Sequence, residues 1–240
     1  MLILAIDTST RLGSAAILRD CEVLAEVSGY DETPYSSRLF RDIALLQDRA
    51  KCRLDQIDVF AVAAGPGSFT GLRVGLTAVK AWAEVHKKPI AAISGLEAIA
   101  MESLAPGAAC DSSAPFIAPF LDARRGQLFG AIYRKIRDGS AALALASDES
   151  ILSVDEFLEL IHGKSPEHVQ LVSPTPDALP SERLGELPLD ARIVQVPAAL
   201  APAIGRLGFE RARRGALLDS MGLDANYVRR SDAELKWTDA

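Results

Sequence analysis

Leu2-Ile3-Leu4-Ala5-Ile6-Asp7-Thr8-Ser9-Thr10 is the run on which the fold turns. Five apolar residues followed by an acid and three hydroxyls read as a buried strand that ends in a turn. Working outward, Gly13 precedes a second strand, Ser14 to Leu18, and Arg19-Asp20 turns the chain into a third, Cys21 to Val27. The three make an antiparallel meander. From Ser36 the period changes, with Leu39, Ile43, Leu46 and Ala50 at helical spacing and Arg41, Asp42, Asp48 and Arg49 outside that stripe. Val59 to Ala64 reads as a buried strand and Thr70 to His86 as a long helix. Pro89 to Ile93 is a further strand and Gly95 to Leu104 a further helix.

A stretch rich in Pro, Gly, Ser and Ala, Ala105 to Pro115, then divides the chain, and the order of elements repeats. Phe116 to Asp122 is again an apolar strand ending in an acid, so that Pro119-Phe120-Leu121-Asp122 answers Leu4-Ala5-Ile6-Asp7. Strands at Gln127 to Lys135 and Ala141 to Ser147 follow, then a helix at 153–162 and a strand from Val169 to Val172. A helical stretch near 177–186, a strand from Arg192 to Val196 and a helix at 199–214 complete the order. Two β-β-β-α-β-α lobes are expected, residues 1–104 and the smaller 105–240, the latter carrying a C-terminal tail.

Composition narrows the function. With 49% hydrophobic residues and a net charge of -6, the chain can bury a core, which aromatics at 6% oblige to be aliphatic. The acidic balance argues against autonomous nucleic-acid binding, while leaving room for a local patch such as Arg206, Arg211, Arg213 and Arg214. The more ordinary reading of those arginines is a solvated helix face. No run reaches the ~18 apolar residues of a membrane span, and the first residues lack the basic flank of a signal peptide. Cys21, Cys52 and Cys110 are scattered, which suits a reduced cytoplasm. His86, His162 and His168 give no HxxxH pair, so no metal site is expected, and no Ser/His/Asp or Cys/His arrangement can be assembled.

Gly65-Pro66-Gly67-Ser68-Phe69-Thr70-Gly71-Leu72-Arg73-Val74-Gly75 is the most informative stretch for function. Glycines between a strand and a helix N-terminus can cradle an anion, or form a structural turn with Ser68 or Thr70 as N-cap. The run fits neither the Walker pattern nor GxGxxG, since Gly65, Gly67 and Gly71 are spaced GxGxxxG. In the helix that follows, Arg73, Lys80, Glu84 and Lys87 crowd one sector and leave an apolar arc of roughly 220°, wider than one core-facing side needs. Two readings stand: a helix buried inside its own lobe, or one with the sheet on one face and a second chain on the other. Gly71 and Gly75 would let another backbone approach.

Asp7 with Thr8 and Ser9, and Asp122 with Arg124, Arg125 and Gly126, occupy repeated turns. They are candidate nucleotide-cleft residues. An acid at a strand end is equally a turn-maker, bonding the next backbone N–H groups.

Ile3-Leu4-Ala5-Ile6-Asp7-Thr8-Ser9, the Gly65–Gly75 run, Leu121-Asp122-Ala123-Arg124-Arg125-Gly126 and the closing Asn226-Tyr227-Val228-Arg229-Arg230 resemble the bacterial TsaB (YeaZ) family over nearly the whole chain. Together with the order of elements, the resemblance implies an α/β fold of two ribonuclease-H-like lobes, of the actin-like ATPase (ASKHA) superfamily, with mixed sheets flanked by helices. It implies a non-catalytic subunit in the cytoplasm. Its partners would be a TsaD-like paralogue and a TsaE-like ATPase, in threonylcarbamoylation of the adenosine beside the anticodon of tRNA. The chain would meet tRNA through the complex, pair with itself when alone, make no membrane contact, and need no cofactor beyond weak or interface-dependent ATP or ADP. In that family TsaD, not TsaB, carries the HxxxH metal site. The implied partner surface is Tyr35, Arg38 and Leu39 on one helix and Phe69, Gly71, Leu72, Gly75, Leu76 and Val79 on the next. Many relatives have His before the first of these helices and Pro within it, where this chain has Tyr35 and Arg41. The competing reading of the same fold is an ATP-binding phosphotransferase or ATPase using Asp7 and Asp122. A glycoprotease, the remaining guess for this superfamily, lacks a nucleophile–base pair.

Overall fold

A computed structural model describes residues 1–29, 35–105, 114–136, 143–164, 169–187 and 192–228. His168, Cys110, Arg229 and Arg230 lie outside the described residues, as does the start of the strand expected from Ala141. The chain forms two compact units.

The first unit opens with strands β1 (Leu2–Asp7), β2 (Ser14–Arg19) and β3 (Glu22–Ser28), then helix α1 (Tyr35–Ala50), strand β4 (Val59–Gly65), helix α2 (Phe69–His86) and strand β5 (Ile90–Ser94). Its sheet runs β3-β2-β1-β4-β5, antiparallel across the meander and parallel from β1 through β4 to β5. Side chains alternate across it. Leu4, Ile6, Ile17, Phe60 and Val62 enter one core with Leu39, Ile43 and Leu46 of α1 and Leu72, Leu76, Val79 and Ala83 of α2.

The opposite face is covered by a helix from the far end of the chain, α5 (Ala201–Arg213), which packs on β1, β2, β4 and β5. Here the sheet offers small residues and the helix offers glycines. A Cβ on Gly208 would stand 2.8 Å from that of Ala61, and one on Gly205 would stand 2.3 Å from Leu18. The sequence division at 104/105 therefore needs correcting. The first unit is Met1–Gly95 together with the chain from Ala198 onward, and the second is Leu96–Pro197. α5 returns because the meander sheet has two apolar faces, and α1 with α2 covers one.

The second unit begins with α3 (Gly95–Glu102) and continues through β6 (Phe116–Arg124), β7 (Gln127–Gly130), β8 (Tyr133–Lys135), β9 (Leu143–Leu145), β10 (Ser150–Ser153), α4 (Val154–Lys164), β11 (Val169–Ser173) and β12 (Arg192–Gln195). Its main path is β10-β7-β6-β11-β12, the order of the first sheet over again, with β8 and β9 added beside β6. α4 closes it with Phe157 and Ile161 over Phe120, Leu128 and Leu171. Two local expectations fail. The strand expected at Gln127 to Lys135 is broken after Gly130, and the helix near 177–186 is a pair of 3-10 turns, Pro176–Ala178 and Ser181–Glu186. Pro176 and Pro180 interrupt any longer helix there, since each lacks an N–H and crowds the turn before it.

Candidate functional site: the first turn and the glycine-rich helix

Asp7 ends β1 fully buried, and its carboxylate is occupied by its own turn. Oδ1 accepts from the Ser9 amide at 2.8 Å and the Ser9 hydroxyl at 2.6 Å, and Oδ2 accepts from the Thr10 hydroxyl at 2.9 Å. Burial pushes the carboxyl above its ordinary 3.8, and the Ser9 and Thr10 bonds oppose that rise. This is the turn-making use of a strand-end acid.

The glycine-rich turn is packed onto that same loop. The Ser68 amide donates to the Ser9 carbonyl at 2.8 Å, and the Thr8 hydroxyl donates to the Gly71 carbonyl at 2.7 Å. A Cβ on Gly67 would fall 2.6 Å from the Ser9 carbonyl oxygen, one on Gly71 1.9 Å from that of Thr8, and one on Gly75 2.4 Å from the Thr8 hydroxyl. The glycines thus admit a backbone, as their spacing suggests, and the backbone is the chain's own. Ser68 is the N-cap of α2, accepting from the Gly71 amide at 3.2 Å. The 65–66 bond, Gly65-Pro66, is cis. Ser68 and Thr8 thus use their polar groups to fix α2 on the end of β1.

The partner surface read from the resemblance is largely internal. Leu39, Leu72, Leu76 and Val79 are buried in the unit's own core, and Gly71 and Gly75 face Thr8. Arg38, also buried, donates to the Gly29 carbonyl at 3.0 Å and the Leu12 carbonyl at 2.7 Å, with Asp42 at 3.7 Å. Its guanidinium lies 4.2 Å over the Tyr35 ring, which in turn sits where a side chain on Gly13 would be. Burial pushes the Tyr35 phenol up, and the chief charge offsetting this is Arg38. Tyr35 and Arg38 together pin the start of α1 to the β1–β2 turn. Phe69 is half-exposed and carries the Tyr227 ring at 4.9 Å and the Arg73 guanidinium at 3.9 Å.

The wide apolar arc of α2 is accounted for within the unit. One side meets the sheet core; another meets α1, where Phe40 stands edge-on to Trp82 at 6.0 Å. A third is covered by the C-terminal segment, whose Leu223 is 1% exposed. Thr70, Arg73, Thr77, Ala81, Glu84 and Val85 stay exposed, beside a Phe40 that is 66% exposed. Phe40 and Val85 are exposed apolar residues that the expected partner surface left out. Their signal was available: both are large and apolar, and Phe40 stands next to, not within, the Leu39-Ile43-Leu46 stripe.

In the second unit Asp122 is exposed, accepts from the Arg124 amide at 2.7 Å and pairs with the Arg124 guanidinium at 3.4 Å. Arg124, Arg125 and Gly126 all take positive φ in the β6–β7 turn. Gly205 and Gly208 are packing residues of α5. Arg213 of the basic cluster pairs with Glu210 at 3.6 Å. Desolvation raises both described thiols, Cys21 and Cys52, so neither is an activated nucleophile. Among the described residues no His/Cys/Asp/Glu group is placed to hold a metal, and no helix is long and apolar enough to cross a membrane.

Two sheets of one strand order, each a meander continued by parallel strands and flanked by helices, define a duplicated ribonuclease-H-like fold of the kind found in actin-like sugar kinases. ROK hexokinase from Thermus thermophilus shares this fold at a TM-score of 0.51 and 11% identity, over 88% of this chain and 100% of that one. YeaZ from Pseudomonas aeruginosa does so at 0.68 and 23% identity, over 94% and 100%. Residues 33–188 match the family model described as TsaD: tRNA N6-adenosine threonylcarbamoyltransferase. The tRNA threonylcarbamoyladenosine biosynthesis protein TsaB of Bacillus subtilis is 30% identical over 240 residues, covering 100% of this chain and 99% of its own. The chain belongs to the TsaB (YeaZ) family.

Proposed function

We propose that this chain is a non-catalytic subunit in the biosynthesis of threonylcarbamoyladenosine in tRNA. It pairs with a TsaD-like paralogue, works with a TsaE-like ATPase in the cytoplasm, and pairs with itself when the paralogue is absent. The observation that carries the reading is the closed first turn. The Asp7 carboxylate is occupied by Ser9 and Thr10, and the glycine turn is packed on Thr8 and Ser9, so both motifs serve the fold. What supports docking is the exposed face of α1 and α2, with Phe40 standing out against Trp82 and Val85 74% exposed. Leu76 and Val79 are buried and Phe40 and Val85 are exposed, so the surface to test is the one around Phe40 and Val85.

Light scattering on the chain, alone and mixed with a TsaD-like partner, tests this directly. The expected result is a homodimer that exchanges into a heterodimer. Phe40→Asp should stay folded and lose both associations, because its side chain touches little of its own core. Val79→Asp should fail to fold, because it would bury an unpaired charge. A monomer indifferent to the partner would sink the proposal, and a large thermal shift with Mg-ATP in that monomer would favour the phosphotransferase reading.

A further inference from the structure

On a protein of net charge -6, a surface arginine is readily answered by an acid. Arg41, Arg53, Arg124, Arg183 and Arg213 each pair with a carboxylate. Arg73 is exposed and pairs with no carboxylate among the described residues, yet its side chain is held in place. Its guanidinium lies 3.9 Å over the Phe69 ring, and its Nε stands 3.5 Å from the Tyr227 hydroxyl. The Phe69 and Tyr227 rings are 4.9 Å apart and tilted by 40°. Phe69 opens α2, and Arg73 follows one turn later. Tyr227 comes from the C-terminal segment, whose Asn226 amide donates to the Ala64 carbonyl at 2.7 Å. Two rings and a guanidinium from distant parts of the chain thus meet at one place, where Phe69 is half-exposed and Tyr227 is 41% exposed.

A guanidinium ordered by rings has already lost its rotamer freedom while its charge stays unanswered, which is what a pre-organised contact to an anion requires. The rings narrow the anion to a nucleotide. Its base stacks on an aromatic ring or on the guanidinium plane, and its phosphate takes the guanidinium N–H groups. A carboxylate would answer the charge and leave the open ring of Tyr227 unused. We propose that Phe69, Arg73 and Tyr227 form a stacking platform for an unpaired nucleotide of RNA, so that this chain touches its RNA directly. Val85 lies about 120° from Arg73 around α2, so the platform stays open when the face around Phe40 and Val85 is covered. The acidic balance of the chain keeps the contact local, an addition to RNA binding by a complex rather than a hold on RNA by itself. That the RNA is tRNA rests on the function proposed above; the platform rests on its own geometry.

Two probes test it: a single-stranded RNA oligomer carrying 4-thiouridine, irradiated with the full chain alone at low salt, and unmodified tRNA titrated into the chain with its TsaD-like partner. The oligomer should crosslink at Phe69 or Tyr227. Tyr227→Ala and Arg73→Ala should each weaken tRNA binding by roughly five- to tenfold. Arg73→Ala should also make the dependence of log K on log salt shallower by roughly 0.7–1, while Arg73→Lys keeps the slope and loses part of the affinity. An Arg73 that only fastened the C-terminal segment would leave the slope where it was. Both substituted side chains are exposed, so Tm and affinity for the protein partner should stay near wild type. Crosslinks confined to other residues, or an unchanged salt slope, would overturn the platform. Lost affinity for the partner in place of lost affinity for RNA would make the cluster a protein contact, and a crosslink abolished by equimolar ATP would make it a mononucleotide site; either overturns the proposal. A wild type that ignores the partner would remove the proposed function, with the platform then decided by the oligomer alone.

Discussion

Replacing Gly71 by alanine separates a glycine that packs inside the protomer from one that meets a partner. An ideal Cβ at this position falls 1.9 Å from the Thr8 carbonyl oxygen, where ordinary contact begins at 3.4 Å. The obstacle is backbone, held by β1 on one side and by the Ser9–Ser68 bond on the other, so no side-chain rotation relieves it. α2 has to retreat by roughly 1.5 Å, which draws the Thr8 hydroxyl off the Gly71 carbonyl and loosens Leu72, Leu76 and Val79 in the core. Overpacking costs about 1–3 kcal/mol and the lost bond about 1 kcal/mol. Alanine returns about 1 kcal/mol through its better helix propensity. The net is a loss of about 1–3 kcal/mol, which in a chain of this size lowers Tm by roughly 2–12 °C. Thermal unfolding followed by circular dichroism reads it, with Thr77→Ala on the exposed side of the same helix as a control that should barely move. If Gly71 instead served a partner, alanine would raise the Tm of the isolated chain and weaken association. A Tm at or above that of the wild type would refute the packing argument.

The other perturbations address the acid and the boundary. Burial raises the Asp7 carboxyl above 3.8, so the folded state favours the protonated form. The stability Asp7 contributes is then present at low pH and lost as pH rises through the raised value. In urea titrations from pH 4 to 7, the wild type should lose stability relative to Asp7→Asn as pH rises. Parallel profiles would show that the carboxyl is not raised. A chain of residues 1–104 should not fold cooperatively, because it lacks α5 over Ile3, Leu18 and Ala61 and lacks Leu218 on the β5 edge. It should bind a hydrophobic dye and melt broadly; a sharp melt without dye binding would restore the 104/105 boundary.

Much of this architecture was legible in the sequence wherever an element carried its own signal. Leu2–Asp7 and Val59–Gly65 were readable as short unbroken apolar runs ending in turn residues, and α1 by its stripe at helical spacing. β10 escaped because Ser150-Ile151-Leu152-Ser153 has two apolar residues and no alternation to speak of. The site was harder, because its contacts join residues far apart in the chain. A helical wheel of α2 displays a wide apolar arc but not that Thr8, some 60 positions earlier, occupies its glycine face. Nor does it show that Leu223, well beyond the second unit, covers another part of it. The arc therefore leaves burial in the lobe and contact with a second chain equally open in the sequence, and in the structure most of it belongs to the protomer, with Phe40 and Val85 left exposed.

That reassignment also bears on what the glycine motif transmits between relatives. In this chain, Gly67, Gly71 and Gly75 hold α2 against the end of β1, Ser68 caps the helix, and Gly65 makes room for Asn226. Each of these is a requirement of assembling the unit, and none needs a substrate. A chain can keep such a run for packing alone, so the run identifies a fold and a family more securely than an activity. What distinguishes one member from another must then be sought where the fold leaves freedom. Here that freedom includes the exposed stripe of α1 and α2 around Phe40 and Val85. Under the docking role proposed above, Phe40 and Val85 are what this chain offers that the glycine run does not.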